Sequence, residues 1–170
     1  MDIPVLDAAA CHASHAARLS QHKLDLTIGT LFLHHSPDNV LLITPTFPKE
    51  VNRKDAMHRF GKFLRKLRKE GSEYLWVFER GHGGHIHFHL LLVVPFDTRK
   101  GVDLDAYASI SRNCLSAKRR LVNKPTAELW DKVDQWCRDF DIGRTEVAPL
   151  YKPPGAIRNY LRKSVAHNWC

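Results

Sequence analysis

"GGHIHFHLLLVVP", Gly83 to Pro95, places histidines at every second position and then runs into an unbroken apolar stretch. Side chains alternate across a β-strand, so His85, His87 and His89 share one face while Ile86, Phe88 and Leu90 share the other. The apolar set is expected in a core, with the imidazoles in a row on the opposite side of a sheet. Same-face neighbours lie about 6.5 to 7 Å apart along a strand, close enough for two imidazoles to converge on one metal ion. Immediately upstream, "YLWVFER" (Tyr74 to Arg80) is a second β-rich run, and Gly81 to Gly84 between the two carry the glycines of a hairpin turn. Closing that hairpin sets Glu79 nearly opposite His87. A register that keeps Glu79 on the histidine face makes a two-histidine, one-carboxylate set, and a slip of one residue removes it. Such a set with open positions suits Mn²⁺ or Mg²⁺ at a phosphate.

Working outward, Thr27 to His34 and Val40 to Thr46 flank the turn-rich "HSPDN" and read as another hairpin. Asn52, with Asp55 three residues on, caps a helix to Gly71 whose apolar face carries Met57, Phe60, Phe63, Leu64 and Leu67. Its other face is cationic: Arg59, Lys62, Arg65, Lys66, Arg68 and Lys69. Helices are expected near Leu104 to Leu121 and Thr126 to Phe140, a strand at Ile142 to Tyr151, and a final helix over "PPGAIRNYLRKSVAH", entered through Pro153 and Pro154. This order predicts an α+β fold, a ferredoxin-like antiparallel β-sheet with helices packed on one face. Residues 24–170 form one domain, and residues 1–23 an extension, helical or flexible.

Lys and Arg outnumber Asp and Glu by 26 to 18, for a net charge of +8. Such a field favours a polyanionic partner. A membrane is disfavoured, because no apolar run reaches the roughly 20 residues that span a bilayer. The N-terminal stretch also lacks the basic start and apolar core of a signal peptide, which predicts a cytoplasmic location. Cys11, Cys114, Cys137 and Cys170 have no paired spacing and suit reduced thiols.

The final helix offers a nucleophile in Tyr160, with Lys163 one turn later on the same face. A phenol has a pKa near about 10, so a neighbouring cation helps it reach the phenolate. The bland alternative is that Tyr160 packs beside Ile157, Leu161 and Val165.

Together these residues resemble a known family. "HFHLLLVV" (His87 to Val94) is similar to the His-hydrophobic-His motif of the HUH single-strand endonucleases, and "YLRK" (Tyr160 to Lys163) to their Tyr-x-x-Lys motif. "LLITPTFP" (Leu41 to Pro48) looks like the first motif of rolling-circle replication initiators. "FGKFLRKLRK" and "WVFERGHGGHIHFHLLL" resemble the initiators of small phages and plasmids. The likeness runs from about Leu41 to His167, and only the combination of motifs is specific.

The resemblance implies HUH endonuclease architecture, a metal site at His87, His89 and Glu79, His85 as an accessory, and Tyr160 as nucleophile. It implies nicking of a replication origin through a 5′-phosphotyrosine link, the freed 3′-hydroxyl priming synthesis. Where some relatives carry a second tyrosine this chain has Ser164, which favours a single-tyrosine form. No Gly-x4-Gly-Lys-Ser/Thr loop is present, so a separate helicase and host replication machinery are implied as partners beside single-stranded DNA or an origin hairpin. DNA contact is expected from Arg59, Lys62, Arg65, Lys66 and Lys69, from Arg99 and Lys100, from Arg119 and Arg120 in "AKRRLVNK", and from Arg162. Competing readings are an HUH transposase or relaxase using the same chemistry, a histidine-triad nucleotide hydrolase, to whose pattern "HIHFHLL" also conforms, and a non-catalytic nucleic-acid-binding module.

Overall fold

The computed structural model describes residues 8–81, 83–111 and 113–166. His167, Cys170 and the first seven residues of the expected extension lie outside the described residues, as does the Cys11 side chain. Cys114 and Cys137 are free thiols, the second buried. Among the described residues the elements are, in chain order, α1 (Ala8–His34), a 3-10 turn (Pro37–Asn39), β1 (Val40–Pro45), α2 (Arg53–Leu67), β2 (Tyr74–Arg80), β3 (Ile86–Val93), α3 (Leu104–Ser109), α4 (Leu115–Leu121), α5 (Lys124–Asp139), β4 (Thr145–Pro149) and α6 (Pro154–Ala166).

The four strands form one antiparallel sheet in the order β2-β3-β1-β4. Two interleaved β-α-β crossovers, β1-α2-β2 and β3-α5-β4, generate this ferredoxin-like arrangement. Both crossover helices start as their sequences dictate. Asn52 accepts from the Asp55 amide at 3.0 Å, and Asn123 accepts from that of Thr126 at 3.1 Å with Pro125 in the first turn. The β2-β3 hairpin turns through Gly84, whose φ of +81° lies in the left-handed region that glycine adopts without a Cβ clash.

One face of the sheet is covered by α2 and α5. Ile86, Phe88, Leu90 and Leu92 of β3 meet Phe60, Phe63 and Leu67 of α2 and Leu129, Trp130 and Val133 of α5. Phe88 lies at the centre, stacked 3.8 Å from Phe60 and edge-on to Phe47, Trp76 and Phe78. Met57, expected on the apolar face of α2, is 37% exposed, and Ala56 takes the inward position instead.

The other face carries helices as well. Leu24, Ile28 and Leu31 of α1 and Ile157 and Leu161 of α6 cover Val40, Val77, Leu91 and Val93. Here the expected strand at Thr27 to His34 is corrected to helix: α1 runs unbroken through it. The reason is that β1 already has neighbours on both sides, β3 and β4, so its expected hairpin partner has no edge to pair with. Leu24, Ile28 and Leu31 fall at helical spacing and bury one stripe on the sheet. The expected helix at 104–121 is two short ones, α3 and α4, separated by a turn. No helix among the described residues is long and apolar enough to cross a membrane.

Candidate functional site

Strand β3 explains the site. Its odd-numbered residues His87, His89, Leu91 and Val93 share a face, and α1 and α6 cover only the apolar end of it. At the histidine end the sheet opens into a cleft of about 360 Å³.

The strand register is as expected: Glu79 pairs with His87 across β2 and β3, with Val77 opposite His89. The Glu79 carboxylate reaches diagonally to His89, with Oε2 2.5 Å from Nε2. This bond with His89 holds the Glu79 carboxyl below its ordinary range, and a bond from the Ser164 hydroxyl lowers it further. An ionised Glu79 makes Nε2 of His89 the donor in their bond. Around Nδ1 stand two hydroxyls, that of Tyr160 at 3.2 Å and that of Thr44 at 3.4 Å.

His87 lies parallel to His89, ring centroids 6.4 Å apart, and its Nδ1 is 2.9 Å from the Thr46 hydroxyl. Burial and the neighbouring His89 lower the His87 pKa, favouring the neutral imidazole. Gly81 packs beside it, where a Cβ would lie 3.0 Å from Nε2 and press on the ring. His85 precedes the strand. Its Nδ1 is 3.2 Å from the Phe47 carbonyl oxygen, and its ring is tilted 48° to that of His87.

Tyr160 is delivered by α6. Ile157, Leu161 and Ser164, spaced four and three residues apart, are buried and dock the helix, which places the half-buried Tyr160 edge-on to His89 at 4.8 Å. Lys163 follows on the exposed side. Ser164, at the position of the second tyrosine, is buried against Glu79. The structure thus brings Glu79, His87, His89 and Tyr160 together. The donor types of Glu79, His87 and His89, two imidazoles and a carboxylate, suit a divalent cation. Yet among the described residues no three His, Cys, Asp or Glu side chains are arranged to hold a metal ion. Glu79 and His89 close on each other instead.

The cationic residues expected to hold DNA scatter. Arg59, Lys62, Arg65, Lys66 and Lys69 lie on α2 or just past its end, and α2 packs against the sheet face opposite the histidines. Arg59 donates to the Asp141 carbonyl, and Arg99 pairs with Asp38 at 3.0 Å. Arg119 is held by Asp131 and Asp134, and Arg162 by Asp25 of α1. Lys100 and Arg120 are exposed. The cleft has cations of its own, Lys118, Arg144 and Lys152, together with Glu146 and Tyr151; of these only Lys118 falls in a stretch expected to bind DNA, "AKRRLVNK". Glu146 carried a signal: it alternates with the buried Thr145 and Val147 in a strand, so its carboxylate had to lie on the histidine face.

A family model for the replication-associated protein family ORF2 matches residues 40–165. The chain is similar to the phasyl DNA replicon protein arp of Escherichia coli, 30% identical over 130 residues, which are 75% of this chain and 43% of that one. It therefore spans less than half the length of this curated relative. No solved structure matches.

Proposed function

The chain belongs to the replication-associated protein family ORF2, and from that premise we propose that it is a metal-dependent, site-specific single-stranded DNA endonuclease and ligase of the HUH type, which nicks an origin to start rolling-circle replication. The observation that carries this reading is the Tyr160 hydroxyl 3.2 Å from His89 Nδ1, on the face shared by His87 and Glu79. It brings a nucleophilic oxygen from the last motif to the paired imidazoles of the middle one.

Tyr160 Oη attacks the scissile phosphorus. The Tyr160 O–P bond forms as the P–O3′ bond breaks, leaving a 5′-phosphotyrosine and a 3′-oxygen that takes up a proton. Attack by a 3′-hydroxyl reverses the exchange, and because one phosphodiester replaces another, no nucleotide hydrolysis is needed. His89 holds the phenol in place, and Lys163, one turn along α6, offsets charge on the phenolate and then on the tyrosyl phosphate. Ser164 fixes the carboxylate of Glu79. Glu79, His87 and His89 carry the donor types for Mn²⁺ or Mg²⁺ and would hold the ion once the Glu79–His89 contact opens; an ion held there would neutralise charge on the non-bridging phosphate oxygens.

The test is incubation with Mn²⁺ and labelled single-stranded DNA that includes the cognate origin, followed by a denaturing protein gel. A labelled band resistant to detergent is expected for the wild type and absent for Tyr160→Phe. His87→Ala and His89→Ala should also lose it, and His85→Ala should lose far less; equal loss at all three histidines would favour histidine-triad chemistry. Binding to the native state also stabilises it. Mn²⁺ should therefore raise the melting temperature of the wild type but not that of His87→Ala.

A further inference from the structure

The far wall of the cleft holds a charged cluster that the nicking chemistry does not use. Lys118 of α4 is 3% exposed, yet it borders the cleft and sets its ammonium 2.6 Å from Oε1 of Glu146. The hydroxyl of the fully buried Tyr107 donates to that same oxygen at 3.3 Å, and the Lys118 ammonium lies 4.9 Å from the centre of the Tyr107 ring. Burial raises the Tyr107 phenol so that it stays a donor. Both bonds end on Oε1, and among the described residues Oε2 takes none. Tyr151, half-buried on the same wall, has its ring 6.0 Å from that of Tyr107.

A buried ion pair contributes little net stability, because desolvating both charges offsets their attraction, and apolar side chains of similar volume often serve as well. This pair has a second use open to it. It presents an oriented ammonium and a carboxylate oxygen side by side, walled by an aromatic ring, in the cleft of about 360 Å³ that Tyr160 also lines. Its place is fixed by register. Glu146 pairs with Thr44 across β4 and β1, and Thr44 in turn lies 3.4 Å from His89 on the β3 side. Two strand spacings, about 10 Å, therefore separate the pair from the histidines.

We propose that Lys118 and Glu146 form a nucleobase pocket that reads guanine in a nucleotide flanking the one whose phosphate faces Tyr160, a proposal that rests on the single-strand reading above. Guanine offers two adjacent N–H donors to the carboxylate and its O6 acceptor to the ammonium. Adenine has no carbonyl for the ammonium. Cytosine has one exocyclic donor for the carboxylate, and thymine has a single N–H between two carbonyls. Tyr151 supplies the surface on which the base stacks.

The experiment measures binding of the full chain, in EDTA, to labelled oligothymidine carrying one guanine, inosine, adenine or cytosine, and scores nicking with Mn²⁺ of single strands that include the cognate origin. Guanine should bind at least about fivefold tighter than adenine, with inosine between them, since one bidentate contact discriminates on this scale. Glu146→Gln should erase the preference, and Tyr151→Leu should weaken all four strands alike without changing their order. The Tyr151 change sits at the rim, so it remains informative if the buried substitution unfolds the chain. A preference for another base, or a guanine preference untouched by Glu146→Gln, overturns the pocket. Guanine preference without nicking supports the pocket and overturns the nuclease reading, whereas nicking with no base preference overturns the pocket alone. Loss of all binding to single strands overturns both.

Discussion

Phe88 and His89 are neighbours on one strand and face two different kinds of protein. On the Phe88 side, aromatic rings from α2, β2, β3 and the turn after β1 close on one another. On the His89 side, α1 and α6 seal Val40, Val77, Leu91 and Val93, and the open end holds His87, His89, Glu79, Thr44 and Glu146. The histidine end of the second face contributes less stability than the aromatic face, since polar groups partly removed from water contribute little net free energy even when hydrogen-bonded. The apolar clusters thus hold the fold, and the polar end can carry chemistry because folding depends on it least.

The largest effect that would break this contrast is structural. Phe88→Ala should cost about 3–5 kcal/mol, read from urea unfolding, while Tyr160→Phe should leave the unfolding midpoint close to that of the wild type. Comparable losses would mean that the two faces share the load. A smaller effect concerns where DNA lies. Affinity for single strands should fall steeply with salt, with a log–log slope of about 0.7 for each neutralised phosphate. Arg144→Ala and Lys152→Ala, in the cleft, should each reduce that slope by about 0.7, and Lys66→Ala, on the far side of the sheet, should leave it unchanged. A slope that responds to α2 instead would bring the strand around the sheet edge to the aromatic side.

The smallest effect sharpens how α6, and with it Tyr160, is held. Arg162 lowers the Asp25 carboxyl below its ordinary value of 3.8, chiefly through their hydrogen bond. A depressed folded pKa gives stability that is present above the unfolded value and lost as pH falls through the folded one. The wild type should therefore exceed Asp25→Asn in stability at neutral pH, and the gap should close with acidification below about 3.8. A gap that does not vary with pH would assign the α1–α6 contact to packing alone.

Much of this was legible locally. The two-residue alternation of "HIHFHLLLVV" gave the strand and its faces, the glycines after Arg80 gave the hairpin, and the hairpin gave the Glu79–His87 register, because each signal acts between residues close in sequence. The helix cap at Asn52 was local too. Thr27 to His34 misled for the opposite reason: β-rich composition suits any half-buried surface, and whether a sheet edge is open to receive a strand depends on residues on the order of a hundred positions away, in β4. The cleft's second wall was hidden likewise. Lys118 reads as one more cation beside Arg119 and Arg120 until α4 turns it inward onto Glu146.

The sequence by itself determined most of the elements, the alternation that separates an aromatic from a histidine face, and the residue types able to do the chemistry. These follow from backbone periodicity and from the side chains themselves. Only the tertiary structure decided that α1 is a helix laid on the sheet, that Ser164 touches Glu79, that the cationic face of α2 lies away from Tyr160, and that Lys118 and Glu146 share the cleft. Each of these depends on which surfaces remain to be covered once β4 has filled the free edge beside β1.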